Sequence, residues 1–401
     1  MKTMKKKPQS KQTKPRIYLD YAAATPTDKK VLNFTLPFFT QYFGNSSSLH
    51  YAGREAHNFL EKTRYSFAQF LNCSPEEIIF TSSATESNNL AIKGIAHFYQ
   101  DKGNKILISG IEHNSVLEAA LSLKEEGFEV QFVKVDKNGR VDLKDLENKI
   151  DKKTILVSVI YASNEIGTIE PIEKIGKICR DKQVIFHTDA AQIFSKRKID
   201  VKREKIDLLT ASAQKIYGLK GAALLYIRKG IKIKPLFHGG GQEFNLRPST
   251  VNLPAIMGFS KAAELAYKEM PEENKKIEAY FQLANNFIEN EIAGIHLTGD
   301  YKNRIKNIFS FWVEGIEGES LMMALDQDGI AVSTGSACAS SDLKPSHVLL
   351  SCGYDYNQAH SSLRVSFGRF TTLAEVKYFL KSLKKNVEQL RKYSPFINDS
   401  K

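Results

Sequence analysis

Cysteine is scarce in this chain of 401 residues: there are four, at positions 73, 179, 338 and 352, and no two form C-x-x-C. That excludes a disulfide framework, a zinc ribbon and a thioredoxin-like redox pair. No apolar run approaches the ~18 residues a membrane span needs. The basic N-terminus has no apolar core, which argues against a secretory signal. No GxxxxGK[ST] occurs, so a Walker phosphate loop is excluded. The papain signature C-G-[SA]-C-[WY] is also missing. There is no internal repeat and no metal-ligand spacing. These absences predict a soluble, cytoplasmic protein of a reducing compartment, with no membrane partner.

What is present begins with charge. The formal net charge is +12, and the first sixteen residues, with six Lys, one Arg and no acid, carry seven of those charges. The remaining excess is mild for so long a chain. It predicts a solvated, disordered 1–16 tail and no nucleic-acid partner.

Short apolar, β-branched runs recur at 78–81, 106–109, 130–135, 155–161, 184–186, 208–211 and 223–227. They read as buried strands. Helical patterns lie between several of them, at 88–100, 115–126, 172–181 and 194–204. Ser74, Pro75 and Glu77 mark a further helix start. Alternating strands and helices predict an α/β fold: a mostly parallel, seven-stranded sheet covered by helices. After about residue 253 the pattern changes. A helical stretch at 254–292, broken around Pro271, precedes strands at 308–313, 330–333 and 363–366 and helices at 319–327 and 373–393. This predicts a large domain at 17–255 and a smaller α+β domain at 256–401, with the first residues able to pack on the smaller one.

In parallel α/β sheets, ligands bind beyond the C-terminal strand ends. The segments there are polar: SSATESNN, EHN, ASNEIG, HTDAAQ and SAQKIYG. The helix start at Ala84 and Thr85 offers free N–H groups to an anion, or is plain capping. Asp189 ends one strand, and a carboxylate there needs a cation or a donor. Lys215 follows another, at the mouth of an apolar run, where desolvation favours a nucleophilic amine. Pyridoxal 5′-phosphate needs a Schiff-base lysine, an acid for its ring nitrogen and an anion site for its phosphate. Lys215, Asp189 and Ala84/Thr85 supply all three. Cys338 stands apart: it sits in GSACASS, among small residues suited to an exposed loop, and reads as the reactive thiol.

The motifs YLDYAAATP, FGNSSSLH, FTSSATESNNLAIKG, EHNSVLE, NEIG, HTDAAQ, QKIYGLKG, HGGGQE, GSACAS and SSLRVSFGRFTT occur in that order. In this the chain resembles the pyridoxal-phosphate cysteine desulfurases of the NifS/IscS type, within the class V aminotransferase group. The resemblance implies that Lys215 holds the cofactor and that Asp189 pairs with its ring nitrogen. It implies that His113 stacks on the ring and assists proton transfers, and that Asn164 and Gln192 hydrogen-bond near the cofactor or substrate. Ala84, Thr85, Ser212 and Gln214 fall at the phosphate. Thr250 reaches a partner subunit's phosphate, which implies a homodimer. Arg364 clamps the substrate carboxylate, and Cys338 takes the sulfur of L-cysteine as a persulfide, leaving L-alanine. A sulfur-acceptor protein, either a scaffold or a relay, is then the partner, in iron–sulfur cluster or thio-cofactor assembly. Gln214 stands where the family usually has His, and Leu219 where it has Pro. A selenocysteine or cysteine sulfinate lyase remains open, as does a cofactor-poor sulfur-relay or regulatory relative.

Overall fold

The computed structural model describes residues 15–335 and 345–394. Cys338 and all but the last two residues of the 1–16 tail lie outside them.

The strands, in chain order, are β1 (Ile17–Tyr18), β2 (Ile78–Thr81), β3 (Lys105–Ser109), β4 (Glu129–Val133), β5 (Thr154–Ser158), β6 (Ile185–Asp189), β7 (Leu208–Ser212), β8 (Ala223–Ile227), β9 (Ile295–Leu297), β10 (Ile308–Val313), β11 (Ile330–Ala331) and β12 (Ser362–Ser366). Seven of them form one sheet in the order β2-β8-β7-β6-β5-β3-β4. All pairs are parallel except those of β8, which runs antiparallel to both neighbours. The sheet is buried on both faces, which explains why its strands read as continuous apolar runs. Alternate residues point to opposite faces. Phe80, Leu107, Val157, Phe186, Leu209 and Leu224 join one hydrophobic cluster. Ile79, Ile106, Ile108, Leu156, Leu208 and Leu225 join another. Helix Ala84–Tyr99 covers the second face with Leu90, Ile92 and Ile95. Helix Tyr51–Leu71 covers the first with Leu60 and Phe67.

A separate antiparallel sheet, β12-β10-β9, builds a further cluster around Phe309, Phe311, Leu363 and Phe367. Ile17 and Leu19 belong to that cluster, and β1 pairs with β11.

Three sequence expectations are corrected. The stretch 194–204 is not helical: Ser195 takes a left-handed φ of 64°, and the Asp200 carboxylate accepts the Lys202 and Arg203 N–H groups in a turn. Its apolar side chains, Phe194, Ile199 and Val201, are buried at irregular spacing instead. Pro271 does not interrupt its helix, which runs unbroken over Leu253–Glu291. Its first half packs Phe259 and Ala262 into one core and its second packs Phe281 and Ile288 into the other, and burial on both sides offsets the ~3 kcal/mol of an interior proline. The Ser74 start opens only a 3-10 turn, Pro75–Glu77, because Ile78 immediately enters β2; the Ser74 N–H still donates to Glu77 at 2.8 Å.

Candidate active site

Four strand ends of the large sheet bring side chains to one place. Asp189 ends β6 and is 5% exposed. Its Oδ1 accepts the Ala191 N–H at 2.9 Å and its Oδ2 accepts the Asn88 amide at 2.8 Å. The same Asn88 amide nitrogen donates to Ser115 Oγ at 2.8 Å. Asn88 lies on helix Ala84–Tyr99 after β2, and Ser115 on helix Asn114–Ser122 after β3. The Asn88 carbonyl oxygen is buried without a partner. That network fixes the carboxylate's direction and leaves each oxygen a spare lone pair.

His113 caps helix Asn114–Ser122: the Ser115 N–H donates to its Nδ1 at 3.1 Å. A backbone N–H can only donate, so Nδ1 is unprotonated and Nε2 carries the ring proton. Burial pushes this imidazole below its ordinary value. The Asp189 charge pulls it back up, while Lys215, His347 and Arg364 push it down. These groups therefore lie within electrostatic reach of the ring. A neutral ring with one edge anchored can stack on a planar ligand and exchange a proton through the other edge.

Lys215 closes the 3-10 turn that follows β7. Its Nζ donates to the Ala22 and Ala23 carbonyls, each at 2.7 Å. Gln192 donates to the same Ala22 carbonyl at 2.9 Å. Gln214 is half-buried, and its backbone carbonyl accepts the Thr25 hydroxyl at 2.6 Å.

At the anion end, Ser83 caps the helix through the Glu86 N–H, so Ala84 and Thr85 form its first turn, with Thr85 exposed. Ser212 is buried at the end of β7. Thr250 is exposed, and nearby Arg247 Nε binds Glu86 at 2.8 Å, tying its segment to that helix.

Arg364 arrives from β12, the other sheet. It is 3% exposed and donates to the Asn164 carbonyl at 3.0 Å and to Asp20 Oδ1 at 3.1 Å. Its Nε is buried without a partner. Burial pushes the Asp20 carboxyl up, and Arg364 and Lys215 oppose this. A ligand carboxylate can take the place of Asp20 on this fork.

The structure thus brings His113, Asp189, Lys215 and Arg364 within electrostatic reach of one another, with Gln192 sharing the Ala22 carbonyl with Lys215 and Asn164 offering its backbone carbonyl to Arg364. Cys338 lies outside the described residues. Asn88, Ser115 and Asp20 were not singled out from the sequence. The only signal was their presence inside the SSATESNN, EHNSVLE and YLDYAAATP motifs.

Glu112, next to His113, is fully buried. Burial pushes its carboxyl up to about 8, against hydrogen bonds from Ser109 Oγ (2.5 Å) and the Ile160 N–H (2.6 Å). Between the ordinary carboxylate range and about 8, the folded chain holds a proton that the unfolded chain has released. The protonated carboxyl's contribution is therefore full at acid pH and is lost as pH rises through about 8. Glu112→Gln keeps the accepting oxygen and removes the titration. Its stability advantage over the parent should grow from pH 5 to pH 8 by about 3–4 kcal/mol, read from denaturant unfolding. An advantage that does not change with pH would show that Glu112 is ionised throughout.

The comparisons agree with one another. The family model for class-V aminotransferases matches residues 17–379. The chain is 47% identical over 386 residues, 96% of its length and 97% of the relative's, to the cysteine desulfurase IscS of Clostridium botulinum strain Hall. It is 45% identical over 391 residues, 97% of its length and 98% of the relative's, to the cysteine desulfurase IscS of Dictyoglomus turgidum. The solved structure of a NifS-like protein superposes with a TM-score of 0.88 at 36% identity, covering 94% of this chain and all of that one.

Proposed function

The chain belongs to the class-V aminotransferase family and is a cysteine desulfurase, and on that premise we propose how its residues divide the work. The reaction takes L-cysteine to L-alanine on pyridoxal 5′-phosphate, with the sulfur held as a persulfide on Cys338. The observation that carries this reading is the convergence of His113, Asp189 and Lys215, at and beyond strand ends of the large sheet, with Arg364 from the middle of β12. The donor set fits the cofactor: an amine, an oriented carboxylate, an orphaned buried amide oxygen on Asn88 and a helix N-terminus.

When bound, pyridoxal phosphate supplies an electron-withdrawing ring that stabilises negative charge on the substrate α-carbon. Lys215 would hold it through its amine. Asp189, aimed by Asn88, would keep the ring nitrogen protonated. His113 would cover the ring and move protons at Nε2. Ala84, Thr85, Ser212 and Gln214 would hold the phosphate. Gln192 and Asn164 orient cofactor and substrate, and Arg364 holds the cysteine carboxylate. The Cys338 thiolate then attacks the substrate sulfur. The Cβ–S bond breaks, an S–S bond forms, and the carbon left behind takes up a proton to become alanine, so no outside oxidant is needed.

Several finer features belong to the same reading. Residues 17–255 form the cofactor domain and 256–401 the smaller domain that carries Cys338, joined by helix Leu253–Glu291. Thr250, exposed beside the Arg247–Glu86 pair, serves a partner subunit's phosphate in a homodimer. The persulfide passes to a sulfur-acceptor protein in iron–sulfur cluster or thio-cofactor assembly. The protein works in the cytoplasm, without nucleic acid or membrane; no helix among the described residues is long and apolar enough to cross one.

The test is a stoichiometric turnover. One equivalent of cysteine per chain, added without other thiol, should give one alanine and one protein-bound persulfide per chain, and free sulfide only after excess thiol is added. Direct release of sulfide, with no persulfide, would favour the lyase reading. No alanine at all would sink the assignment.

A further inference from the structure

A cleft of about 560 Å³ opens between helix Leu253–Glu291, the turns at 193–198 and the loop at 302–307. It contains neither His113 nor Arg364, and it adjoins the reaction site: Lys196, Met270, Glu273, Asn274 and Asn307 also line a small cavity with Lys215. Six cationic side chains line it: Lys196, Arg197, Lys198, Lys302, Arg304 and Lys306. Two carboxylates oppose them, and both are already engaged. Glu273 binds Arg369 at 3.0 Å, and Glu278 lies 3.8 Å from Lys306. No ion pair among the described residues engages the other five cations.

Arg304 is the decisive member. It is 4% exposed, and its two terminal nitrogens donate only to the Thr298 and Ile308 carbonyls, at 2.9 and 2.8 Å. Its Nε is buried with no partner. Burial pushes its guanidinium down to about 10. The Lys196 amine, bound to the Gln192 carbonyl at 2.5 Å, is likewise pushed down by burial to about 8. The Phe281 ring lies 5.0 Å from the Arg304 guanidinium, and a bound anion would offset more of the desolvation such buried cations cost. The floor of the cleft is apolar, with Ile169, Ile193, Met270, Ile277 and Ile305.

We propose that this cleft is a binding site for a small polyanion: a compact metabolite carrying two or more phosphate or carboxylate charges over a short apolar body. Charge selects it, Arg304 anchors it from below, and Lys198 and Lys302 hold it at the exposed rim. The site draws on this cleft alone and does not depend on which reaction the chain catalyses.

A second basic cleft, about 630 Å³ and lined by Lys182, Arg180 and Arg228, serves as the control. There both arginines already bind the Asp207 carboxylate, at 3.0 and 2.5 Å.

Inorganic pyrophosphate is the probe, titrated calorimetrically into the cofactor-loaded protein at low salt, so that the cofactor's own phosphate site is filled. One saturable site per chain is expected. Reversing both rim charges (Lys198→Glu with Lys302→Glu) should weaken it at least about tenfold, while Lys182→Glu should change it less than about twofold. Both rim residues are exposed, so the double variant should fold, as its thermal unfolding will confirm. The proposal is overturned by unsaturable binding or none in the parent protein, by no effect of the rim reversal, or by an equal loss in Lys182→Glu.

Discussion

Lys215→Ala should yield a folded protein that shows no visible absorption from a lysine-bound cofactor and turns over cysteine at least about a thousandfold more slowly. The Lys215 amine, at the mouth of β7, is the group placed to bind an aldehyde covalently and release it to a substrate amine. Removing it takes away the attachment and a proton carrier together. The substitution also leaves the Ala22 and Ala23 carbonyls without their 2.7 Å donor. Ala23 is exposed to water and the buried Ala22 carbonyl keeps its Gln192 donor, so the structural cost should be small, about 1–2 kcal/mol. Thermal unfolding separates the two effects. An unchanged spectrum would remove Lys215 from its role, while a lost spectrum with a collapsed melting temperature would mean the anchoring of Ala22 and Ala23 matters more than the chemistry. Adding a small primary amine should return part of the turnover, which a purely structural defect would not allow.

How much of this site could be read beforehand follows from where its parts sit in the chain. Lys215 and Asp189 were legible because each closes an apolar β-branched run, and a polar residue at such a place must face a ligand. The seven strands were legible for the same reason: burial on both faces leaves a continuous apolar signal. Asn88 was not legible. It meets Asp189 across 101 residues of sequence, and nothing in SSATESNN says which of its two asparagines turns inward. Asp20 was hidden differently: it sits in a turn rather than at a strand end, and only the fold brings it to Arg364, 344 residues away. Helix Tyr51–Leu71 was missed because its buried face is narrow, with Ala56, Leu60, Phe67 and Leu71 flanked by polar and exposed aromatic residues. The non-helical 194–204 misled for the converse reason, since apolar residues spaced by chance resemble a helix until a left-handed serine breaks it.

Cys338→Ala should keep the visible absorption of the lysine-bound cofactor, still respond to added cysteine, and form protein persulfide about a thousandfold more slowly or not at all. The argument runs through the other three cysteines. Attack on sulfur requires a thiolate. Burial pushes the Cys73 and Cys352 thiols up to about 12 each, and pushes Cys179 up further still. At neutral pH none of the three supplies a useful thiolate fraction, and Cys179 and Cys352 are enclosed in hydrophobic clusters, where no substrate reaches them. That leaves the one thiol flanked by Gly335, Ser336, Ala337, Ala339 and Ser340. The two variants therefore split the reaction at different bonds. Without Lys215 the cofactor signal itself is lost; without Cys338 the signal remains and the Cβ–S bond has no acceptor. Undiminished persulfide in Cys338→Ala would force one of the buried thiols to be exposed during turnover. Sulfide release at the parent rate, with no persulfide in either protein, would show that elimination and not thiolate attack breaks the bond.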